Sequence, residues 1–570
     1  MARLFTDPRT VEQMTGLSLK GTMTMPTQDH DRRQVLPLVL SADRQEYLLV
    51  RHIDSSNVAA CGFNLMPVLM FSPYWLPEPA RGVHQTIADA VRSVLGSKHL
   101  TVDAMTPVSV YEQLRAVVRV DVEREAVSPV DAYRIRRQDV LRKFNHHRTQ
   151  TADVARALMR GHPHLGRLDP WLGDRSNTCF ALLDEMAAQR GLSALLGTWF
   201  TNFQELSGLR GSLADELGYA ALNLVKTDEI WVLAPVGYAV DGIPAVRRYP
   251  GLAHAVQDLV GSGTVGFETD TLGASRLLDL RDQGVALADG GMVLRDWREE
   301  KASYDAPYFV VGALASRDAI EGAASFASEA IKAGVEITER DVDRVYMSRL
   351  AEFQRRHQLP LKLDFYFVNN HAASRTILPS RPTNYKLSRG ITALRIDAGI
   401  FLVDDGLVHA CTDIARTVTT TEAATEVFDV MERVVLEDII PSILPGMSGE
   451  EIHRMGVERM GAHEAVFHTH GYMPDSFSWR RGYTRDIGHV IERQESYTFG
   501  FKPGVKRPVH AGMVACVEFH CTHDAHCIII EDTFVIDDGG PIIISRLPEE
   551  FGPEGKVTRR RRGPLTRIKS

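Results

Sequence analysis

Five residues in the C-terminal half of the chain have the types and spacing to hold metal. Asp397 lies in "RIDAG", Asp413 in "CTDIART", His489 in "DIGHVIE", Glu518 in "GMVACVEF" and Glu531 in "IIIEDTFVI". Each segment sets an acid or an imidazole against an apolar run. A carboxylate buried without a partner is costly, and four of them converging with an imidazole would repel and desolvate one another. A cation resolves that conflict. Hard carboxylate oxygens with one imidazole suit Mn, Co, Fe or Zn, and five ligands with two bridging carboxylates would hold two ions about 3.5 Å apart. Taken singly, an Asp in a strand reads as an edge or ion-paired group and a His as a satisfied core group. Five such positions in order are harder to read that way.

These residues need rigid elements to hold them. "TALRIDAGIFLV", "MVACVEFHC" and "CIIIEDTFVID" read as strands from their β-branched runs. The sequence between Asp397 and Asp413 predicts an extended hairpin with "DDG" at its tip. The region holding them runs over 299–548 and opens on the helix-forming "FVVGALASRDAIEGAASFASEAIKAG".

Upstream the chain repeats itself. "TVEQMTGLSLKG" at 10–21 resembles "TNFQELSGLRGS" at 201–212, and "IADAVRSVLGSKHLTVDAMTPVSVYEQLRA" at 87–116 resembles "LAHAVQDLVGSGTVGFETDTLGASRLLDLR" at 252–281. In the longer pair a helical rhythm runs into Gly, then a short strand ending in Asp103 or Asp270, then another helix. Two copies of one α/β domain are expected, over 1–155 and 156–298. The first carries an extra stretch, "NLMPVLMFSPYWLPEPARG", whose prolines predict a loop excursion that would shape an interface or a lid. "AYRIRRQDVLRKFNHHRTQTADVARALM" reads as helix-forming.

Composition bounds the rest. A chain of 570 residues exceeds one hydrophobic core and is multidomain. No apolar run approaches the ~18 residues of a membrane span, so no membrane partner is expected. The start "MARLFTDPRTVEQ" lacks the apolar core of a secretory signal, which predicts a cytoplasmic protein. Six cysteines without paired CxxC spacing argue against a disulfide framework or a structural zinc site. The net charge of −8 gives no footprint for nucleic acid. The basic tail at 549–570, "KVTRRRRGPLTRIKS" at its end, reads as solvated and disordered.

The order Asp, Asp, His, Glu, Glu, with "D-x-G" at the first Asp, "TDIART" around the second, "GMV…VE" at the first Glu and "IEDT" at the second, resembles the creatinase, prolidase and methionine aminopeptidase superfamily, peptidase family M24. Its fold is the pita-bread fold. With "LLDEMAAQRGLSALLGTWFTNFQELSGLRG" and the repeat, the whole chain resembles three-domain Xaa-Pro aminopeptidases. The resemblance implies an α/β (α+β) architecture with a C-terminal pita-bread domain behind two creatinase-type N-terminal domains. It implies two divalent metal ions, manganese ahead of cobalt, iron or zinc. Asp397 would bind one metal, Asp413 and Glu531 would bridge both, and His489 and Glu518 would complete the site. A metal-bridging water would attack a carbonyl, with Glu518 as general base. His371 in "VNNHAAS" matches the family's substrate-contacting histidine; as a bare residue it reads equally as a surface-loop His.

The chain departs from the family pattern. Ser496 stands where the family's second histidine would contact substrate, and Glu492 replaces a usual Gly. The short segment "FHCTHDAHCIII" carries His520, His523 and His526, which would either replace the lost histidine in binding substrate or decorate a hairpin. The resemblance therefore leaves three function classes. One is a metal-dependent Xaa-Pro peptidase. Another is a relative turned to a small-molecule substrate as a C–N hydrolase or lyase. The third is a non-catalytic binding module, disfavoured because all five ligands remain. A homodimer is expected, since "NLMPVLMFSPYW" would otherwise expose an apolar patch.

Overall fold

The computed structural model describes residues 2–17, 38–52, 55, 58, 63–72, 82–160, 162, 165–173, 179–240, 242–368, 370–372, 382–387, 393–474, 476–480, 483, 485–493, 495–523 and 526–546. The chain forms two compact units: 1–146 with 176–297 and 405–407, and 147–175 with 298–404 and 408–570. The basic tail lies outside the described residues. No helix among the described residues is long and apolar enough to cross a membrane.

The first unit contains two mixed sheets. One is built from β1 (Ala2–Phe5), β2 (Leu38–Ala42), β3 (Gln45–Arg51), β4 (Val68–Phe71), β5 (Leu100–Val102) and β6 (Val120–Val122). The other is built from β7 (Val130–Arg136), β8 (Ala194–Gly197), β9 (Ala220–Leu224), β10 (Glu229–Pro235), β11 (Arg247–Tyr249), β12 (Thr264–Phe267) and β13 (Ala286–Asp289). The run β3-β2-β1-β5-β6 in the first has the same order as β10-β9-β8-β12-β13 in the second. The strand senses match too: β1 and β8 are each antiparallel to one neighbour and parallel to the other.

Three sequence expectations change here. The strands divide between residues 122 and 130, not at 155, because "VDAYRIR" is β7, inserted between β10 and β11. Tertiary pairing overrides a charged, helix-like composition. Residues 147–175 group with the second unit. Part of the predicted loop excursion, Val68–Phe71, is instead a strand parallel to β3, which Pro67 precedes; residues 73–81 lie outside the described residues. The second-copy strand ends at Phe267, not at Asp270. Asp103 and Glu268 directly follow β5 and β12, and each accepts a backbone N–H just past the neighbouring strand, Asp103 from Asp7 (3.0 Å) and Glu268 from Thr198 (3.0 Å).

The second unit is built on an antiparallel sheet. Its strands are β15 (Lys362–Val368), β16 (His371–Ala372), β18 (Ala393–Asp404), β19 (Leu407–Cys411), β20 (Ile414–Thr419), β21 (His489–Ile491), β22 (Glu495–Gly500), β23 (Val514–His523), β24 (His526–Val535) and β25 (Ile542–Ile543), with β14 (Ile337–Thr338) and β17 (Lys386–Leu387) paired apart. The central order is β15-β18-β20-β24-β23-β21-β22. Helix Ala306–Ala333 packs on helix Glu339–Arg356 and on β18 and β20. The period-two alternation then decides function. Ala515, Val517, Phe519 and Cys521 on β23, with Ile528, Ile530 and Phe534 on β24, join a core with buried residues of helices Glu422–Arg433 and Gly449–Gly461. Each buried Ile or Phe there contributes roughly 1.5–3 kcal/mol. The alternate residues Cys516, Glu518, His520 and Glu531 face the other way.

The expected hairpin is present, with β18 turning into β19 through Asp405 (φ 45°) and Gly406 (φ 81°). Two successive positive φ values suit a tight two-residue turn that follows strand twist.

Candidate metal centre

Four strands set the acids in one row. Asp397 on β18 is opposite Ala415 on β20, Ala415 is opposite Glu531 on β24, and Glu531 is opposite Glu518 on β23. Directly opposed residues share a sheet face. Asp413 lies not inside a strand, as its apolar surroundings suggest, but in the break between β19 and β20. The break has a cause. Thr412 accepts the Ile400 N–H through Oγ1 (3.1 Å) and donates its own N–H to the Ile400 carbonyl (3.0 Å). A Cβ on Gly399 would stand 2.3 Å from the Thr412 carbonyl oxygen. The "D-x-G" glycine thus lets the two backbones approach where the second aspartate turns in.

Carboxylate oxygens of Asp397, Asp413 and Glu531 lie within 4.8 Å of one another. His489 Nε2 stands 3.6 Å from Asp413 Oδ2, while Nδ1 donates to the Val490 carbonyl at 3.1 Å. That second bond fixes the tautomer and leaves Nε2 to the acids. Burial, then Asp486, Asp413 and Asp397, push the Glu518 carboxyl well above the usual range against the pull of His489. Burial, then Asp413 and Glu518, do the same to Glu531. Glu531 Oε1 is buried and accepts no hydrogen bond from the described residues. Crowded acids with an unsatisfied oxygen fit a divalent cation. Asp397, Asp413, His489, Glu518 and Glu531 are the residues that would hold it.

The next residue of the "IEDT" motif points elsewhere. Asp532 accepts from Arg416 at 2.6 Å and from Arg546 at 2.8 Å, beneath the sheet. Burial would raise its pKa, but the two guanidiniums outweigh burial and hold it low.

His371 is not a surface-loop residue. It is 1% exposed, on β16, opposite Arg395 and therefore one diagonal step from Asp397. Its Nδ1 is 3.3 Å from Glu339 Oε2. Glu339 also accepts the N–H and hydroxyl of Thr383 (3.0 and 2.8 Å) and the N–H of Ala372 (3.2 Å). Burial opposes its ionisation, yet the bonds from His371 and Thr383 hold its pKa below the usual value. Glu339 lies at the start of its helix, beside the Thr338 capping box, so the sequence marks it only as a helix-starting acid.

His520 lies on the same face as Glu518, with Arg485 Nη1 3.4 Å from its Nε2. Burial, then Arg485 and Arg395, push its pKa down to about 3, so it is neutral. Ser496 is opposite Val490 in the β21/β22 pair. The side chains of Ser496, His523 and His526 lie outside the described residues. Glu492 is committed to structure: Arg298 Nε donates to it at 3.0 Å with both side chains 1% exposed, and the Arg493 N–H donates at 2.7 Å. Cys516 also faces the acids, and the alternation through Glu518 was the signal that could have found it.

Residues 314–538 match the model of metallopeptidase family M24. No curated protein matches the chain. Among solved structures, the prolidase of Pyrococcus horikoshii OT3 is 17% identical, covering 65% of this chain and 98% of its own at a TM-score of 0.46. The Xaa-Pro dipeptidase of Bacillus anthracis is 17% identical, covering 65% and 97% at a TM-score of 0.45. The Asp271Ala form of Escherichia coli aminopeptidase P is 15% identical, covering 66% and 98% at a TM-score of 0.47. The family match assigns residues 314–538, the region that holds all five candidate ligands, to the M24 metallopeptidases, a family of peptidase-type metalloenzymes.

Proposed function

We propose that the chain is a dinuclear metal-dependent hydrolase of amide C–N bonds, acting on Xaa-Pro-type peptides. The row Asp397–Ala415–Glu531–Glu518 carries the reading, because it aligns three acids across four strands with Asp413 and His489 alongside. Bound divalent cations supply Lewis acidity that polarises the scissile carbonyl and acidifies a water. Asp413 and Glu531, whose oxygens lie within 4.8 Å of those of Asp397, would be the carboxylates shared between the cations, as the resemblance implies. Glu518, at the end of the row, takes the proton as general base. His371, held through Nδ1 by Glu339, would present Nε2 to substrate. His520, on the carboxylate face of β23, would line the substrate side, and the resemblance adds Ser496 and His523 to it.

A second reading has its own support. Ser496 in place of the family histidine removes a substrate contact, which favours a small-molecule substrate for the same centre. Metal analysis with a panel of X-Pro dipeptides and tripeptides tests the first reading. Metal-dependent X-Pro cleavage supports it, and an intact metal centre inert to every peptide favours the second. Manganese is the cation expected from an oxygen-rich site, with cobalt, iron or zinc as substitutes.

Six cysteines without paired CxxC spacing fit a reducing, cytoplasmic setting. Exposed Leu65 and Val68, in the apolar stretch of the first sheet, support a homodimer. Light scattering at micromolar concentration tests that, and a monomer would count against it.

A further inference from the structure

Cys516 precedes Glu518 by two residues on β23, so its thiol shares the carboxylate face. Its Sγ, a ring nitrogen of His489 and a carboxylate oxygen of Glu531 all lie within 4.8 Å of one another. All three residues are at most 2% exposed. The Sγ stands 3.6 Å from the His489 carbonyl oxygen. A thiol is a weak donor, so that contact orients the sulfur at little energetic cost to other bonding. The buried Glu531 Oε1, which accepts no hydrogen bond from the described residues, marks the same spot as short of a positive partner. Other cysteines lack this placement: Cys521 packs with the helices under the sheet, and Cys527 lies 3.9 Å from Arg395 Nη1.

We propose that Cys516 is a sulfur donor to the metal centre, forming with His489 and Glu531 a subsite for a thiophilic divalent cation, zinc or cobalt, ahead of manganese. The inference rests on the proposed metal centre and adds a ligand to it. A row of oxygens alone favours manganese, whereas one thiolate beside an imidazole shifts preference to softer ions. On ligation the thiol gives its proton to solvent and its lone pair to the cation. No oxidation state changes.

The test uses the full chain, stripped with a chelator and reloaded with Co(II) alone. Elemental analysis gives the metal stoichiometry, and the near-ultraviolet spectrum reports sulfur-to-cobalt charge transfer. The wild type is expected to show that band, Cys516→Thr to lose it while keeping its cobalt, and Cys521→Ser to retain it. Zinc affinity should fall about tenfold or more in Cys516→Thr, as for loss of one ligand contact, with manganese affinity little changed. Cobalt bound without the band, or a band that survives in Cys516→Thr, overturns the sulfur ligand and leaves the metal centre standing. A wild type that takes up no cobalt, zinc or manganese overturns both. Should Cys516→Thr fold poorly, Cys516→Ser read by X-ray absorption at the zinc edge gives the same answer, since a sulfur shell is either lost or was never there.

Discussion

Gly488 and Cys516 meet backbone to backbone: a Cβ on Gly488 would stand 2.1 Å from the Cys516 carbonyl oxygen, and the glycine holds φ at +139°. The Glu518 N–H donates to the Ile487 carbonyl across the same contact at 3.0 Å. The glycine before His489 is therefore what seats β21 against β23 and brings the imidazole to the acids. Gly488→Ala combines backbone strain with overpacking, each of order 1–3 kcal/mol, so a loss of about 2–6 kcal/mol is expected. Urea unfolding measures it. Metal content should fall in parallel, and an alanine variant with normal midpoint and full metal would refute the seating role.

Glu339 separates orientation from ligation. Glu339→Gln keeps an acceptor toward His371 and Thr383 but sets an amide N–H₂ against the Ala372 N–H, with a stability cost of about 1–3 kcal/mol. Activity should drop about 10–100-fold, the range for a lost orienting partner, while metal content stays at the wild-type level. His371→Ala should cost roughly 100-fold or more. If Glu339 acts through His371, the double variant should be no worse than His371→Ala alone. Additive losses would show that Glu339 acts separately.

The candidate ligands stood out in the sequence because each is set against an apolar run, which is visible without coordinates, although Asp413 falls in the break between β19 and β20. What the strands do to the run is not visible there. "IEDT" carries two adjacent acids, and only the alternation of β24 sends Glu531 to the cluster and Asp532 to Arg416 and Arg546. Glu339 was invisible because its partners, His371 and Thr383, come from other segments. The β7 strand was misread since "VDAYRIR" owes its strand conformation to β10 and β11, which are distant in sequence.

His409 makes the fold acid-sensitive. It is fully buried, stacked on Tyr308 with ring centroids 4.3 Å apart. Burial, then Arg493, Lys301, His147 and Arg148, hold its pKa well below the ordinary histidine value. Folded, it stays neutral; unfolded, it takes up a proton below about pH 6.5, so stability falls as pH drops through that value. By pH 5 the loss from this group reaches about 2 kcal/mol. His409→Phe keeps a ring on Tyr308 and should flatten the stability profile between pH 7 and 5. An unchanged slope in denaturation midpoints over that window would count against it.

Asp413 tests the shared cation. Chelation should abolish activity, and manganese or cobalt should restore it, if the buried acids act through a bound cation. Asp413→Ala removes a bridge from the buried cluster, so metal occupancy and turnover should fall together. Elemental analysis and kinetics on one preparation decide it. A variant with full metal and normal turnover would overturn the assignment of the site.

Ser496→His asks which substrate the centre serves. Ser496 lies on β22 opposite Val490, the residue after His489. The resemblance implies a histidine at this position, and its return should raise kcat/KM for X-Pro peptides if the chain is a peptidase with a weakened substrate contact. A gain of about tenfold matches one restored hydrogen bond of roughly 1.4 kcal/mol in the transition state. The gain should appear in peptide cleavage and leave metal affinity as it was, because the ligands are untouched. No gain with any peptide, with the metal centre intact, moves the assignment to a small-molecule C–N substrate. A gain accompanied by tighter metal binding would instead make the new histidine a ligand, and the comparison of kinetics with metal titration separates the two.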